Sequence, residues 1–196
     1  MSHYYSKEND SLKSNEKTIF VNIKDKKFSF VTDHGVFSKM GLDFGSRLLI
    51  ETVIDNGVET VLDVGSGYGP LGIIYKSFHP EAHVIMTDVN DRAIKLTQKN
   101  AEKNKVDVEV FYSDGFNEIS RTFDLIITNP PIRTGKDVIY RIFSDAFLHL
   151  NNLGALIFVI NKKHGALSAI KKCESIFQKV EVIAKKSGYY LIKCIK

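Results

Sequence analysis

Three carboxylates and one amide follow or close apolar stretches of the sequence, and these groups suit a shared binding site. Asp63 follows a valine and a leucine, Asp88 closes AHVIMTD, Asp114 follows VDVEVFY, and Asn129 follows FDLIIT. Such runs are typical of buried strands in parallel sheets, whose carboxyl ends meet at one edge. Ligands bind at that edge in open α/β folds. The sequence therefore predicts one site built from several strand ends.

Three glycines alternate in the stretch that begins with Asp63, at Gly65, Gly67 and Gly69. Because glycine lacks a Cβ atom, such a turn lets a ligand lie directly against backbone at the start of the next helix. A dinucleotide fingerprint would place its third glycine where Pro70 stands, so the spacing disfavours pyrophosphate binding. A glycine-rich turn also occurs as simple punctuation between a strand and a helix.

Asp88 lies 21 residues after Gly67 in the sequence. At about this separation, a doubly wound fold brings a carboxylate to the ribose hydroxyls of a bound nucleotide. An aspartate at this place can equally cap the next helix, although Asn90 is a capping candidate of its own. The two roles can coexist.

The tetrapeptide NPPI, residues 129–132, is the most specific feature of the sequence. Two consecutive prolines fix φ and remove two backbone donors, so the turn presents carbonyl acceptors. Acceptors aimed at the hydrogens of a planar amine favour a pyramidal nitrogen and direct its lone pair. A Pro-Pro pair alone is also an ordinary turn breaker. Next to the glycine turn and the acids, it predicts chemistry on an amine.

These features together resemble the class I S-adenosylmethionine (SAM)-dependent methyltransferases that methylate amines. The resemblance rests on residues 63–69, Asp88, Asp114 and residues 129–132. GVFS at 35–38 and GLDFGSRLL at 41–49 resemble the small-domain branch, which includes the bacterial 16S rRNA guanine N2-methyltransferases of the RsmC type. The similarity runs from about residue 18 to the C-terminus and suggests a member with a single domain.

The resemblance also implies a role for each matching residue. Backbone near Gly65 and Gly67 would hold the methionine end of the cofactor, Asp88 the ribose hydroxyls, and Asp114 the adenine amino group. The Asn129 side chain and the Pro130 carbonyl would accept hydrogen bonds from the amine. The predicted catalytic residues are Asn129, Pro130 and Pro131. The predicted cofactor contacts are Asp63, Gly65, Ser66, Gly67, Gly69, Asp88, Asp114 and Asn129.

The residues after the second proline bear on the substrate. Many relatives place an aromatic side chain at the position of Ile132 to stack the target base, and an isoleucine offers only apolar contact. Arg133 and Lys136 could hold a phosphate beside the target, with the start of the next helix assisting. Alternatively, both are solvent-exposed loop charges.

Charge favours a polyanionic partner. The 196-residue chain carries a net charge of +4, and from residue 161 onward it has nine lysines and two glutamates. Lysines attract nucleic acid through its phosphates, although a basic helix face can also serve solubility alone.

Cys173 and Cys194 lack a histidine at metal-ligand spacing, so we expect buried thiols and no metal. With neither a signal peptide nor a span-length apolar stretch, a cytoplasmic protein is predicted.

Three functions follow, from two classes. The first is SAM-dependent N-methylation of a guanine exocyclic amine in 16S ribosomal RNA, by a monomer or a homodimer. The second keeps the chemistry but acts on a protein glutamine or a DNA adenine. The third is a non-catalytic RNA-binding module with the same fold. The intact acids and Asn129 disfavour the third.

The apolar periodicity predicts a doubly wound, Rossmann-like α/β fold with a seven-stranded sheet, and the resemblance implies that this sheet is of the class I methyltransferase type. Strand-like residues 19–23 and 27–32 predict an N-terminal β-hairpin that forms a small lid. Residues 1–16 are polar and predict a flexible tail before one domain at 17–196. Ser46 is the expected N-cap of the helix that precedes Asp63.

Overall fold

The computed structural model describes residues 14–36 and 41–196. Its strands are β1 (Lys17–Ile23), β2 (Lys26–Thr32), β3 (Thr60–Val64), β4 (His83–Asp88), β5 (Glu109–Tyr112), β6 (Phe123–Thr128), β7 (Leu150–Asn161), β8 (Lys179–Lys186) and β9 (Tyr189–Ile195). Its helices are α1 (Phe44–Val53), α2 (Pro70–Phe78), α3 (Asp91–Lys103), α4 (Lys136–Leu148) and α5 (Ala166–Glu174). Short 3-10 turns lie at Ile132–Thr134 and Lys162–His164.

Seven strands form one sheet in the order β5-β4-β3-β6-β7-β9-β8. The five strands from β5 to β7 in that order pair in parallel, whereas β9 is antiparallel to both β7 and β8. The chain builds outward from β3 to β5 and then returns to place β6 on the other side of β3. The predicted doubly wound, seven-stranded sheet is confirmed. The order reverses between β3 and β6, which is where such sheets bind ligands.

Apolar side chains on both faces of the sheet divide the interior into two cores. Along β3, Val61 belongs to the core under α1, α2 and α3, while Leu62 belongs to the core under α4 and α5. In the second core the rings of Phe143 and Phe158 lie 4.4 Å apart. Burying each large apolar side chain contributes about 1.5–3 kcal/mol, so the sheet is a rigid support for residues at its edge.

The predicted N-terminal hairpin is present. It packs on α3 and does not form a lid over the sheet edge where the strand order reverses. Asn100 is fully buried; its side chain accepts a hydrogen bond from the backbone N–H of Val31 at 2.6 Å and donates to the carbonyls of Val31 and Tyr68. Asn104 bonds both backbone groups of Ser29 in the same way. Asn100 of α3 and Asn104, which caps the end of that helix, thus take the place of a neighbouring strand for β2.

The segments on either side of the hairpin differ from two expectations. Ser14 and Asn15, expected in the tail, both donate hydrogen bonds to the carboxylate of Asp33. The N-cap of α1 is Asp43 and not Ser46, because the carboxylate of Asp43 accepts the Ser46 backbone N–H at 3.1 Å. Part of the GVFS stretch, residues 37 and 38, lies outside the described residues, as do 1–13, 39 and 40.

Candidate active site

The glycine turn follows β3 at the point where the strand order reverses. Gly65 and Gly67 have φ angles of +74° and +61°, which side-chain-bearing residues rarely adopt. A Cβ atom at either position would point into open space, with no atom within 4 Å. The backbone N–H groups of Gly65 and Ser66 both donate to the carbonyl of Thr87, at 2.9 Å. The turn is thereby held against β4 with a bare backbone surface facing outward.

Asp88 closes β4 and binds the same turn. Its Oδ2 accepts the backbone N–H of Gly67 at 2.8 Å, and its Oδ1 accepts that of Asn90 at 2.9 Å. The side chain of Asn90 caps α3, so Asp88 need not serve as the cap. Burial raises the pKa of Asp88 to about 6, although the two N–H groups oppose the rise. The carboxylate is ionised at neutral pH and lies beside the glycine backbone.

Asp63 and Gly69 support the turn from below. Asp63 is fully buried, and its Oδ2 accepts the backbone N–H of Gly72 in α2 at 3.0 Å. Burial, with a smaller contribution from the charge of Asp88, raises the pKa of Asp63 to about 7. A Cβ atom on Gly69 would come within 2.9 Å of Ile73 and Thr97 side chains. Neither residue lines the cavity described below, so both act on a ligand only through the turn.

Asp114 follows β5 on the same edge of the sheet and pairs with α4. Its Oδ1 lies 2.6 Å from a guanidinium nitrogen of Arg141. Both side chains are about half exposed. An exposed pair of this kind contributes at most about 1 kcal/mol to stability, so either partner can turn to a ligand at little cost.

Asn129 follows β6, and α1 fixes the orientation of its amide. The amide nitrogen donates to Ser46 Oγ at 3.0 Å and lies 3.4 Å from Asp43 Oδ1. The two oxygens act as acceptors for the amide nitrogen, so the nitrogen side of the amide faces the start of α1. The amide oxygen therefore lies on the opposite side of the group, available as an acceptor. Sequence reasoning missed Asp43 and Ser46 as parts of the site, although both lie in the GLDFGSRLL stretch.

These strand ends surround a cavity of about 560 Å³. Ser66, Gly67, Asp88, Asp114 and Asn129 line it from the sheet edge, as do Pro130 and Pro131. Three lining side chains each have a buried polar atom without a hydrogen-bond partner among the described residues: Asp43 Oδ2, Ser66 Oγ and Tyr68 Oη. Unpaired buried polar atoms cost about 1–3 kcal/mol each, so their grouping indicates a polar ligand that pairs with them.

The expected substrate residues fall into two groups. Ile132 and Arg133 line the cavity from the 3-10 turn after Pro131, and Arg133 is exposed. Lys136 begins α4, is exposed and does not line the cavity. His164 and Tyr189, which sequence reasoning did not single out, close the cavity on the side of β7 and β9. They lie far along the chain from every motif, and no local pattern marks them.

The family model for the methyltransferase small domain matches residues 27–193. The chain belongs to this family. By that membership it is a SAM-dependent methyltransferase of the small-domain type. It is 48% identical to the uncharacterized protein YbxB of Bacillus subtilis, over 99% of the chain and 98% of that protein. It is also 42% identical to ribosomal RNA small subunit methyltransferase C of Haemophilus influenzae, over 65% of the chain and 40% of that enzyme.

A solved structure of this type matches almost the whole chain. The Thermus thermophilus 16S rRNA N2 G1207 methyltransferase RsmC, in complex with AdoMet (SAM) and guanosine, superposes with a TM-score of 0.84 at 27% identity. The match covers 97% of the chain and 53% of that enzyme. The chain thus spans nearly all of YbxB but about half or less of these RsmC enzymes.

Membrane spans and metal clusters are both absent from the described residues, 14–36 and 41–196. No helix among them is long and apolar enough to cross a membrane. No group of three or more histidine, cysteine or acidic residues among them could hold a metal ion. The buried Cys173 and Cys194 lie next to each other in the second core, away from the cavity.

Proposed function

We propose that this methyltransferase transfers a methyl group to the exocyclic amine of a guanine in 16S ribosomal RNA. The observation that carries the proposal is the orientation of Asn129. Asp43 and Ser46 hold its amide nitrogen, so its oxygen is an acceptor beside the rigid Pro130-Pro131 turn. Two acceptors at such a turn suit an amine with two hydrogens. Relatives named as 16S rRNA methyltransferases, one of them solved with guanosine, support this choice of substrate.

SAM fits the residues that surround the cavity. The bare backbone of Gly65 and Gly67 leaves room that a Cβ atom would occupy. Asp88 and Asp114 both line the cavity, and they would accept hydrogen bonds from the ribose hydroxyls and from the adenine amino group, respectively. The unpaired atoms of Asp43 and Ser66 suit the charged amino-acid end of the cofactor, which has both donors and acceptors. When bound, SAM supplies an electrophilic methyl group on a sulfonium.

The chain's own residues then act on the amine. The lone pair of a guanine amine is delocalised into the ring, which makes the nitrogen a poor nucleophile. Hydrogen bonds from the amine to the Asn129 side chain and the Pro130 carbonyl would favour a pyramidal nitrogen and hold it in line with the methyl group. The new N–C bond would form as the methyl–sulfur bond breaks, the electron pair of that bond would stay on the sulfur as a neutral thioether, and the nitrogen would lose one proton to solvent. In a paired strand this nitrogen is occupied, so the target must be single-stranded or flipped out.

A basic rim beside the cavity supports RNA as the substrate. We define this rim as Lys162, Lys163, His164, Lys185 and Lys186. The Lys162 backbone N–H donates to the Gly188 carbonyl at 2.8 Å, which joins the 3-10 turn after β7 to the β8-β9 turn. All five side chains are exposed, and His164 lines the cavity itself. A positive surface next to the part of the cavity that contains Asn129 favours a substrate with a phosphate backbone over a neutral protein side chain.

The test is transfer of labelled methyl from SAM to four substrates in parallel. These are purified 16S rRNA lacking the modification, small ribosomal subunits, DNA, and a peptide-release factor. We expect label in rRNA or in the subunit, recovered as N2-methylguanosine after nuclease digestion. Label only in DNA or in the release factor would assign the second function considered above. Absence of label from all four substrates would contradict the proposal.

A further inference from the structure

The cavity contains an aromatic side chain that no motif accounts for. Its aromatic lining residues, among those described, are Tyr68, Tyr189 and the exposed imidazole of His164. Tyr68 is only 2% exposed and packs edge-on against Phe30 in the core, with ring centroids 5.7 Å apart. Tyr189 is half-buried and lines the cavity. Ile132, which also lines the cavity, has no ring to offer.

The ring of Tyr189 is held in place from two sides. It lies against Gly45, where an added Cβ atom would be 3.1 Å from Tyr189 Cε1. The ring of Phe44 lies 5.5 Å away at an interplanar angle of 39°. Ser187 and Gly188 both have positive φ, as in the tight two-residue hairpin turns that start a strand sharply at the next residue. Both the backbone and the ring of Tyr189 are thus fixed.

Tyr189 is also close to the amine acceptor. It contacts Gly45, and the next residue of α1, Ser46, binds the Asn129 amide at 3.0 Å. The start of α1 therefore supports both the aromatic ring and the acceptor, side by side. A nucleobase whose amine reaches Asn129 is large enough to bring its ring system to the neighbouring side chain.

We infer that Tyr189 is the stacking surface for the target base. This inference rests on the proposed function, because it assumes a nucleobase at Asn129. Stacking of a base on an aromatic side chain is tolerant of base identity. Tyr189 would therefore hold the flipped-out base, while the acceptors at Asn129 and Pro130 select an amine.

The sequence contains no tryptophan, which allows a direct optical test. Tyr189→Trp introduces a single fluorophore at the proposed surface, and Tyr190→Trp is the matched control. Tyr190 is also half-buried, but its ring packs on the opposite face of β9, 4.9 Å from Nζ of the rim residue Lys185, and does not line the cavity. A tryptophan there therefore reports RNA at the rim without a base in the cavity. With demethylated SAM present, 16S rRNA should quench the fluorescence of the first variant strongly and that of the control weakly. Equal quenching of the two variants would overturn the inference.

Kinetics give the second readout. Tyr189→Leu should raise KM for rRNA about ten- to hundredfold, on the scale of a single base-stacking interaction. Tyr189→Phe should restore it, and Tyr190→Leu should change it little. If methyl transfer occurs but Tyr189→Leu behaves like Tyr190→Leu, stacking on Tyr189 is wrong while the proposed function stands. If no RNA is methylated, the fluorescence comparison still decides whether a base reaches Tyr189.

Discussion

The two ends of the cavity are built in different ways. The end at Gly65, Gly67 and Asp88 is made of backbone and of one carboxylate that binds that backbone, all from two adjacent parallel strands. The end at Asn129 is made of side chains from segments far apart in sequence, since Asp43 and Ser46 lie 86 and 83 residues before it. The first end presents a fixed shape, whereas the second depends on how three side chains are oriented. Substitutions at the two ends should therefore separate cofactor affinity from turnover.

The largest effect should come from the target end. Asn129→Ala removes the oriented acceptor, and loss of one such electrostatic group lowers turnover by roughly a hundredfold or more. The dissociation constant for SAM, measured by titration calorimetry, should stay near the wild-type value, because the glycine turn and Asp88 are unchanged. An Asn129→Ala enzyme with normal turnover would mean that the turn is only structural.

The opposite result is expected at the cofactor end of the cavity, which is formed by Gly65, Gly67 and Asp88. Asp88→Ala should weaken SAM binding by about ten- to hundredfold, because hydrogen bonds to a charged acceptor contribute about 1.5–3 kcal/mol. Saturating SAM should then restore much of the turnover. Calorimetry measures SAM affinity, and single-turnover rates measure methyl transfer. NAD serves as the control ligand, and tight NAD binding by the wild type would contradict the assignment of the glycine turn.

The contrast between the ends explains what could be predicted from the sequence. The glycine turn and the acid at residue 88 belong to one strand-turn-helix-strand unit, so local spacing was enough to predict their meeting. The specific tetrapeptide also predicted Asn129 as a site residue, and Asn129 does line the cavity, while its role as an acceptor stays a prediction. Its partner Ser46 was instead expected to cap α1, since a serine before a helical run favours that role. Only the packing of α1 against β7 and β9 shows that Asp43 caps the helix and that Ser46 faces Asn129.

The lid was the other departure. An alternating pair of short strands predicts a hairpin but carries no signal for where it docks. The docking depends on Asn100 of α3 and on its C-cap Asn104, which lie about one helical turn apart and satisfy the open edge of β2. In sequence, these two residues look like ordinary polar positions of an amphipathic helix. Tertiary hydrogen bonding, and not strand propensity, decided the position of the hairpin.

A smaller effect should show how much Ser46 contributes to the orientation of the Asn129 amide. Ser46→Ala removes the acceptor at 3.0 Å from the Asn129 amide but leaves Asp43, the N-cap of α1, in place. We expect turnover to fall about tenfold with unchanged SAM affinity, on the scale of one hydrogen bond. Ser46→Thr should recover much of the loss. Ser144→Ala, in the partly buried helix α4, is the matched control and should have normal turnover. Equal rates for the two alanine variants would show that Asp43 alone orients the amide.

The cofactor end should also respond to pH. Because the pKa of Asp88 is raised to about 6, its carboxylate is ionised at pH 7.5 and mostly protonated at pH 5. SAM affinity should therefore be constant above pH 7 and decrease as the pH falls through 6, by about fivefold at pH 5. Asp88→Asn cannot titrate and should lack this decrease. Calorimetric titrations between pH 5 and 8 measure both proteins, and parallel curves would assign the pH dependence to another group.

The last and smallest effect concerns the basic rim and the binding of RNA beside the cavity. Replacing Lys162, Lys163, Lys185 and Lys186 of the basic rim by alanine should weaken rRNA binding severalfold at moderate salt. The slope of log affinity against log salt should become shallower by about 0.7 for each phosphate that the protein no longer neutralises. SAM affinity should not change, because none of the four lysines lines the cavity.

Lys171→Ala with Lys172→Ala is the matched control for the rim. These two lysines belong to the same basic C-terminal stretch but lie on α5, which covers the face of the sheet away from α1 and Asn129. Filter binding of 16S rRNA from 50 to 300 mM salt measures both sets of variants. If RNA enters over β7 and β9, only the rim variant changes the slope. If the rim variant and the α5 variant change the salt slope by the same amount per lysine, the lysines attract RNA non-specifically. RNA then does not depend on the rim to reach Asn129.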